Sequence, residues 1–96
     1  MAIPDREDVQ RQGFRRAFEA SGLAIDPIWM SYFSIGGMSG MVEVQAYVYG
    51  ALSLPELERD LLAHALNECL DACGREGLRA IYSHEIAGED GSGPAG

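Results

Sequence analysis

The stretch Met41-Val42-Glu43-Val44-Gln45-Ala46-Tyr47-Val48-Tyr49-Gly50-Ala51-Leu52 carries two incompatible patterns, and the choice between them sets the fold class. At helical spacing, Met41, Val44, Val48 and Leu52 form one apolar stripe, and Ser39 stands where a helix cap belongs. At strand spacing, Val42, Val44, Ala46 and Val48 alternate with Glu43, Gln45, Tyr47 and Tyr49, and valine and tyrosine favour strands. A strand here needs a partner. The candidate is residues 28–35, joined across the loop Gly36-Gly37-Met38-Ser39-Gly40. That segment alternates poorly and opens on a helix-start signal. A lone hairpin would also need a third strand or a covering helix. Helix is therefore preferred over 41–52. The expected fold is all-α, a compact domain of three to four helices. The alternative is an α+β fold with a β-hairpin at about 28–49 packed on two helices.

Upstream, Asp26-Pro27 marks the start of a helix, with aspartate as the cap and proline at the first helical position, where its missing N–H costs nothing. Ile28, Trp29, Tyr32, Phe33 and Ile35 fall on one arc, Ser31 and Ser34 lie opposite, and Gly36-Gly37 ends the run. Further upstream the first helix is expected from about Pro4 to Ser21, with Gly22 as its stop. Asp5, Glu7 and Asp8 lie in the first turn, where the helix dipole favours acids. Val9, Gly13, Phe14, Ala17, Phe18 and Ala20 share one half of the wheel. Asp8, Arg11, Gln12, Arg15, Arg16 and Glu19 share the other, with Glu7–Arg11 and Arg15–Glu19 spaced to pair.

Downstream, Ser53-Leu54-Pro55-Glu56 matches a capping box, with Leu52 and Leu57 spaced as a hydrophobic staple. The helix that follows is expected to run to about Cys73, with Gly74 as its stop. Leu54, Leu57, Leu61, Leu62, Ala65, Leu66, Cys69, Leu70, Ala72 and Cys73 cover more than half of its wheel. Asp60, His64, Asn67, Glu68 and Asp71 fill a narrow polar strip. A helix so largely apolar is either the centre of the fold or part of a dimer interface. Residues 75–86 fit a short helix through Leu78, Ile81, Tyr82 and Ile86 or equally a short strand through Leu78, Ala80, Tyr82 and Ile86. Residues 1–86 read as one helical domain, and the Gly- and Pro-rich residues 87–96 as a flexible tail.

The whole chain has 96 residues, 15 acids, 7 bases and a net charge of −8. Every base is arginine, which forms planar pairs with carboxylates. That charge balance argues against nucleic acid and anionic membranes as partners. Arg11, Arg15 and Arg16 are the local exception, partly neutralised by their own helix. Without lysine the phosphate-loop motif is excluded, so the glycine-rich loop at 36–40 reads as a connector. There is no apolar run long enough to span a membrane and no signal-peptide layout at Met1-Ala2-Ile3-Pro4-Asp5, so a cytoplasmic location is expected.

Chemistry-bearing patterns are sparse. Asp60, His64 and Glu68 stack on one helix face, but ligands in a row on one helix do not close a metal site. Cys69 and Cys73 are spaced too widely for an easy disulfide and read as small core residues. Nucleophile triads do not emerge, so neither an enzyme, a cofactor nor a metal is expected. The function expected is that of a small acidic regulatory or adaptor domain acting through protein–protein contact, as a homodimer. Its anchors would be Trp29, Tyr32 and Phe33, with Arg15 on the rim. Asp60, His64, Glu68 and Asp71 would form an acidic face, able to occupy a basic site on a partner. The alternative is a small-molecule-binding or enzymatic domain with an aromatic pocket walled by Trp29, Phe33, Tyr47 and Tyr49.

Overall fold

Residues 41–48 are helical, and burial shows why. Val44, Tyr47 and Val48 are buried at helical spacing, whereas Val42, which strand alternation would turn inward beside Val44, is 77% exposed. The structure, a computed structural model, describes residues 5–75 and 77–86. Among these there are four helices: α1 (Arg6–Ser21), α2 (Ile25–Ser34), α3 (Met41–Val48) and α4 (Glu56–Ala72), followed by a single 3-10 turn at Ser83–Glu85. The fold is all-α, and no strand occurs among the described residues. The expected tail at 87–96 lies outside the described residues, as does Pro4.

Helix α4 packs chiefly on α2 and also on α1, while α3 fills the angle between α1 and α2. Leu62, Ala63, Ala65, Leu66 and Leu70 of α4 meet Phe14 and Ala17 of α1, Ile25, Ile28 and Tyr32 of α2, and Val44, Tyr47 and Val48 of α3 in one core. The large apolar circumference of α4 is thus consumed mostly within the chain. Leu57, Ala72 and Cys73 are left exposed. Burial pushes the Tyr47 phenol well above its ordinary 10.0.

Several helix boundaries differ from their local signals. Asp5 is the cap of α1 rather than part of its first turn; its carboxylate accepts the Asp8 N–H at 2.8 Å. Helix α2 begins one residue before Asp26, with Ala24 at the cap position. Asp26 and Pro27 lie within the first turn, where an acid and a missing N–H are both favourable. Gly40, not Ser39, caps α3, and the Glu43 carboxylate accepts the Gly40 N–H at 2.8 Å. Leu52 falls beyond the end of α3. The Ser53–Glu56 capping box does not form, and neither Leu52 nor Leu57 is buried as a staple. Long-range partners replace it: the buried Leu54 donates its N–H to Glu7 at 3.0 Å, and its carbonyl accepts from Arg59 at 2.7 Å. Gly22 and Gly74 end α1 and α4 with φ of 72° and 74°, as expected.

Residues 78–82 form neither the short helix nor a strand. Ala80 is buried in the core with Leu78 and Tyr82 packed against it, and polar side chains of α1 and α4 hold the backbone of this strap. Asn67, buried on α4, donates its amide to the Ala80 carbonyl at 3.0 Å and accepts the Ala80 N–H at 2.8 Å. Gln10, buried on α1, donates to the Ile81 carbonyl at 3.2 Å. Ser83 donates its N–H and hydroxyl to Asp60 at 2.7 and 2.6 Å, and its carbonyl accepts from Arg6 at 2.7 Å. A segment without regular secondary structure is thus fixed by its apolar contacts together with satisfaction of its buried polar backbone.

Candidate functional site

The second half of α2 carries the three aromatic residues singled out above, and they divide. Tyr32 is not a surface anchor. Its ring is fully buried, and its hydroxyl donates to Glu58 while accepting the Ser39 N–H at 2.9 Å. Burial first, then the bond to Glu58, pushes this phenol above its ordinary 10.0, so it stays a proton donor at neutral pH. Glu58 also accepts the Met38 N–H at 3.1 Å. The glycine-rich loop therefore does hold an anion, and the anion is a side chain of the same protein. An amphipathic aromatic on a helix arc points inward when a polar partner waits at the end of its ring.

Trp29 and Phe33 are the surface pair. Trp29 is half-buried and donates its indole N–H to the Ser39 carbonyl at 2.9 Å. Phe33 stacks on it, with centroids 5.3 Å apart and planes 23° apart, and is itself 59% exposed. Met30 precedes Phe33 by one turn and is also exposed. The Trp29–Ser39 bond draws in Met38, which is 85% exposed. The Met38–Glu58 bond in turn draws in the exposed Leu57, and Val42 lies in the first turn of α3 beyond the same loop. Met30 and Phe33 of α2, Met38 of the 36–40 loop, Val42 of α3 and Leu57 of α4 are thus large apolar side chains left exposed, and Phe33 among them is stacked on Trp29. Large apolar side chains left exposed on a small protein are candidates for an interaction surface. Methionine adds a flexible, polarizable contact that adapts to a partner.

The stretch of chain that carries these residues has charge of one sign. From Ala17 to Glu58 the sequence contains no base, and its charged residues are Glu19, Asp26, Glu43, Glu56 and Glu58. Arg59, the next base, turns inward to Gln10 and the Leu54 carbonyl.

Arg15 is exposed on α1, but its partners are Glu19 at 3.3 Å and the Tyr49 ring, 4.9 Å from the guanidinium carbon. It ties α1 to the end of α3 and is not drawn to the Trp29–Phe33 stack. The aromatic pocket walled by Trp29, Phe33, Tyr47 and Tyr49 does not form as expected. Tyr47 is sunk in the core, and Tyr49 lies under Arg15.

The acidic strip of α4 is also divided. Asp60 is not part of a solvated face; it accepts from Gln10 at 2.8 Å as well as from Ser83. Its burial opposes ionisation. The Ser83 hydroxyl and N–H, the Gln10 amide and the Arg59 charge outweigh that and hold its pKa below the ordinary 3.8. His64 is exposed between Tyr82, 3.1 Å from its Nδ1, and Glu68, 3.1 Å from its Nε2. Glu68 and Asp71 are exposed. Among the described residues no group of three or more His, Cys, Asp or Glu is arranged to hold a metal ion. Cys69 is half-buried, with its sulfur 4.0 Å from the Pro27 carbonyl, but Cys73 is exposed at the end of α4 and is not a core residue.

A pH prediction follows from Asp60. A depressed carboxyl pKa stabilises the fold above the ordinary value and ceases to as pH falls through the lowered one. Asp60→Asn should be less stable than the parent above about pH 4. The gap should narrow as the pH is lowered further, as read by urea denaturation at several pH values. A gap constant from pH 7 to pH 2.5 would remove Asp60 from that role.

The residues missed by periodicity are Gln10, Glu58, Asn67 and Ser83. Gln10 had a visible signal, since it sits on the wheel beside Gly13, Phe14 and Ala17. A polar residue on a buried arc implies a buried partner. No helix among the described residues is long and apolar enough to cross a membrane. Comparison of the chain with protein-family models, with curated proteins and with solved structures finds no match.

Proposed function

We propose that the protein is a small regulatory or adaptor domain that works by protein–protein contact, docking an apolar helical segment flanked by basic residues on the Trp29–Phe33 face. The observation that carries this is the exposed Phe33 stacked on Trp29, itself held by the Trp29–Ser39 bond, with Met30, Met38, Val42 and Leu57 also exposed. An aromatic anchor fixed in advance loses little freedom on binding. The acidic surroundings select the partner's charge and favour its approach. A second copy docked through the same face about a two-fold axis would set one run of acids, Asp26, Glu43 and Glu56, against another. Symmetric self-association through this face is therefore disfavoured. The function is binding, without a catalytic step.

The test is calorimetric titration with two designed amphipathic helical peptides that share an apolar face, one flanked by lysine and arginine, the other by glutamate. The basic peptide is expected to bind in the range of about 1–100 μM, more weakly as salt is raised. The acidic peptide should bind at least about tenfold more weakly. Phe33→Ser, a change at an exposed position, should abolish binding while leaving the far-UV circular dichroism unchanged. Equal affinity for both peptides, or binding undiminished in Phe33→Ser, contradicts the proposal. Sedimentation of the parent as a dimer that Phe33→Ser disperses would assign the face to a second copy instead.

A further inference from the structure

The strap leaves a cavity of about 460 Å³ against α1, away from the Trp29–Phe33 face and lined from both elements. Gly13 and Ala17 of α1 form one wall, Leu78 and Ile81 of the strap the other, and Arg16 and Arg79 bring the charge. No acid lines it. We infer that this cavity binds a small amphiphile with a single anionic head, a carboxylate or a phosphate monoester, on an apolar body.

Its volume falls in the range of small-molecule sites, and its combination of apolar wall and few charged groups is the usual one. The absence of a side chain at Gly13 lets α1 and the strap meet closely. A Cβ there would stand 3.2 Å from the Ile81 side chain. The arginines are available to a ligand. Arg16 is exposed and makes no hydrogen bond or ion pair among the described residues. Arg79 reaches Glu85 only at 3.8 Å and lies 5.8 Å from the Tyr82 ring centre. A guanidinium forms paired hydrogen bonds with a carboxylate or a phosphate, so two of them beside an apolar wall match a charged head carrying a hydrophobic body. The chain's net charge of −8 makes a site for an anion unusual on this protein, and among the described residues the charged groups lining this cavity are both bases.

The test is calorimetry with octanoate, octyl phosphate and octanol, and with acetate and inorganic phosphate as heads alone. Octanoate or octyl phosphate is expected to bind at least about tenfold more tightly than octanol, with acetate and phosphate below detection. The stronger of the two identifies the head. Arg16→Gln and Arg79→Gln should each weaken that ligand about tenfold. Ala20→Leu, at an exposed lining position, should occlude the cavity and abolish binding with both arginines present. Phe33→Ser should bind as the parent does, which separates this site from the proposed docking face. Octanol binding as well as octanoate and octyl phosphate, affinity unchanged in both arginine variants, or loss only in Phe33→Ser overturns the inference. So does failure of both anionic amphiphiles to bind at millimolar concentration.

Discussion

Asn67→Leu is expected to detach the strap and cost about 3 kcal/mol of stability. Asn67 is a nearly isosteric polar residue on the most buried helix, yet its two bonds go to one backbone unit, the N–H and carbonyl of Ala80, at 2.8 and 3.0 Å. Ala80 is itself fully buried. Leucine would fill the space and add apolar contact. It would also leave a buried donor and a buried acceptor without partners, at about 1–3 kcal/mol each. The strap would then relieve the penalty by moving into water, taking Ser83 from Asp60 with it. In a domain of this length a loss of that size lowers Tm by about 10–20 °C. Asn67→Asp keeps the acceptor for the Ala80 N–H but sets a carboxylate against the Ala80 carbonyl, so it should also destabilise. Thermal melts give the cost, and amide exchange at Ala80 locates it. A Tm change of a degree or two with the Ala80 amide still protected would show that the strap is held by its side chains.

Gly37→Ala is expected to be the most damaging glycine substitution outside the left-handed positions. A Cβ at residue 37 would lie 2.3 Å from Tyr32 Cζ and within 2.5 Å of Cε1 and Cδ1. The ring is not free to yield. It is fully buried, and its hydroxyl is held by Glu58 and by the Ser39 N–H. The loop is not free either, because the Gly37 N–H donates to the Tyr32 carbonyl at 2.9 Å. One of these contacts must break, and the cost expected is about 2–3 kcal/mol. Gly77→Ala is the control, since nothing stands within 4 Å of its built Cβ. A displaced loop would also move Ser39 away from the Trp29 indole, so tryptophan emission should shift in Gly37→Ala and not in Gly77→Ala. If the two variants melt together, the loop does not pin the ring.

These two substitutions mark where the sequence is informative and where it falls silent. Periodicity and glycine stops placed the four helices, because helix formation and termination depend on neighbours three or four residues away. The choice of helix over strand for residues 41–48 rested on the same local rule and on the lack of a partner strand, and both hold. Caps were less legible. Ser53 and Glu56 stand at the right spacing, yet the chain enters α4 through Leu54, Glu7 and Arg59, and Glu7 is nearly half the chain away. Polar residues were least legible. Tyr32, Asp60 and Asn67 read as surface or strip residues, but each is spent on a partner distant in sequence. A helical wheel shows which residues share a face. It carries no information on whether a bare backbone segment will come to lie against a polar strip.

For the candidate site, two of the four expected contact residues, Trp29 and Phe33, do lie together at the surface, because aromatics at spacing four stack on a helix. The 36–40 loop that holds the Trp29 indole is fixed in turn by Tyr32 and Glu58, an arrangement no local pattern encodes.

The most direct test of the docking face is the methyl NMR spectrum of the methionines during titration with the basic amphipathic peptide. The account predicts that the Met30 and Met38 methyl resonances shift saturably in the parent and stay in place in Phe33→Ser. Binding that leaves both resonances unmoved, or moves them equally in Phe33→Ser, would contradict it.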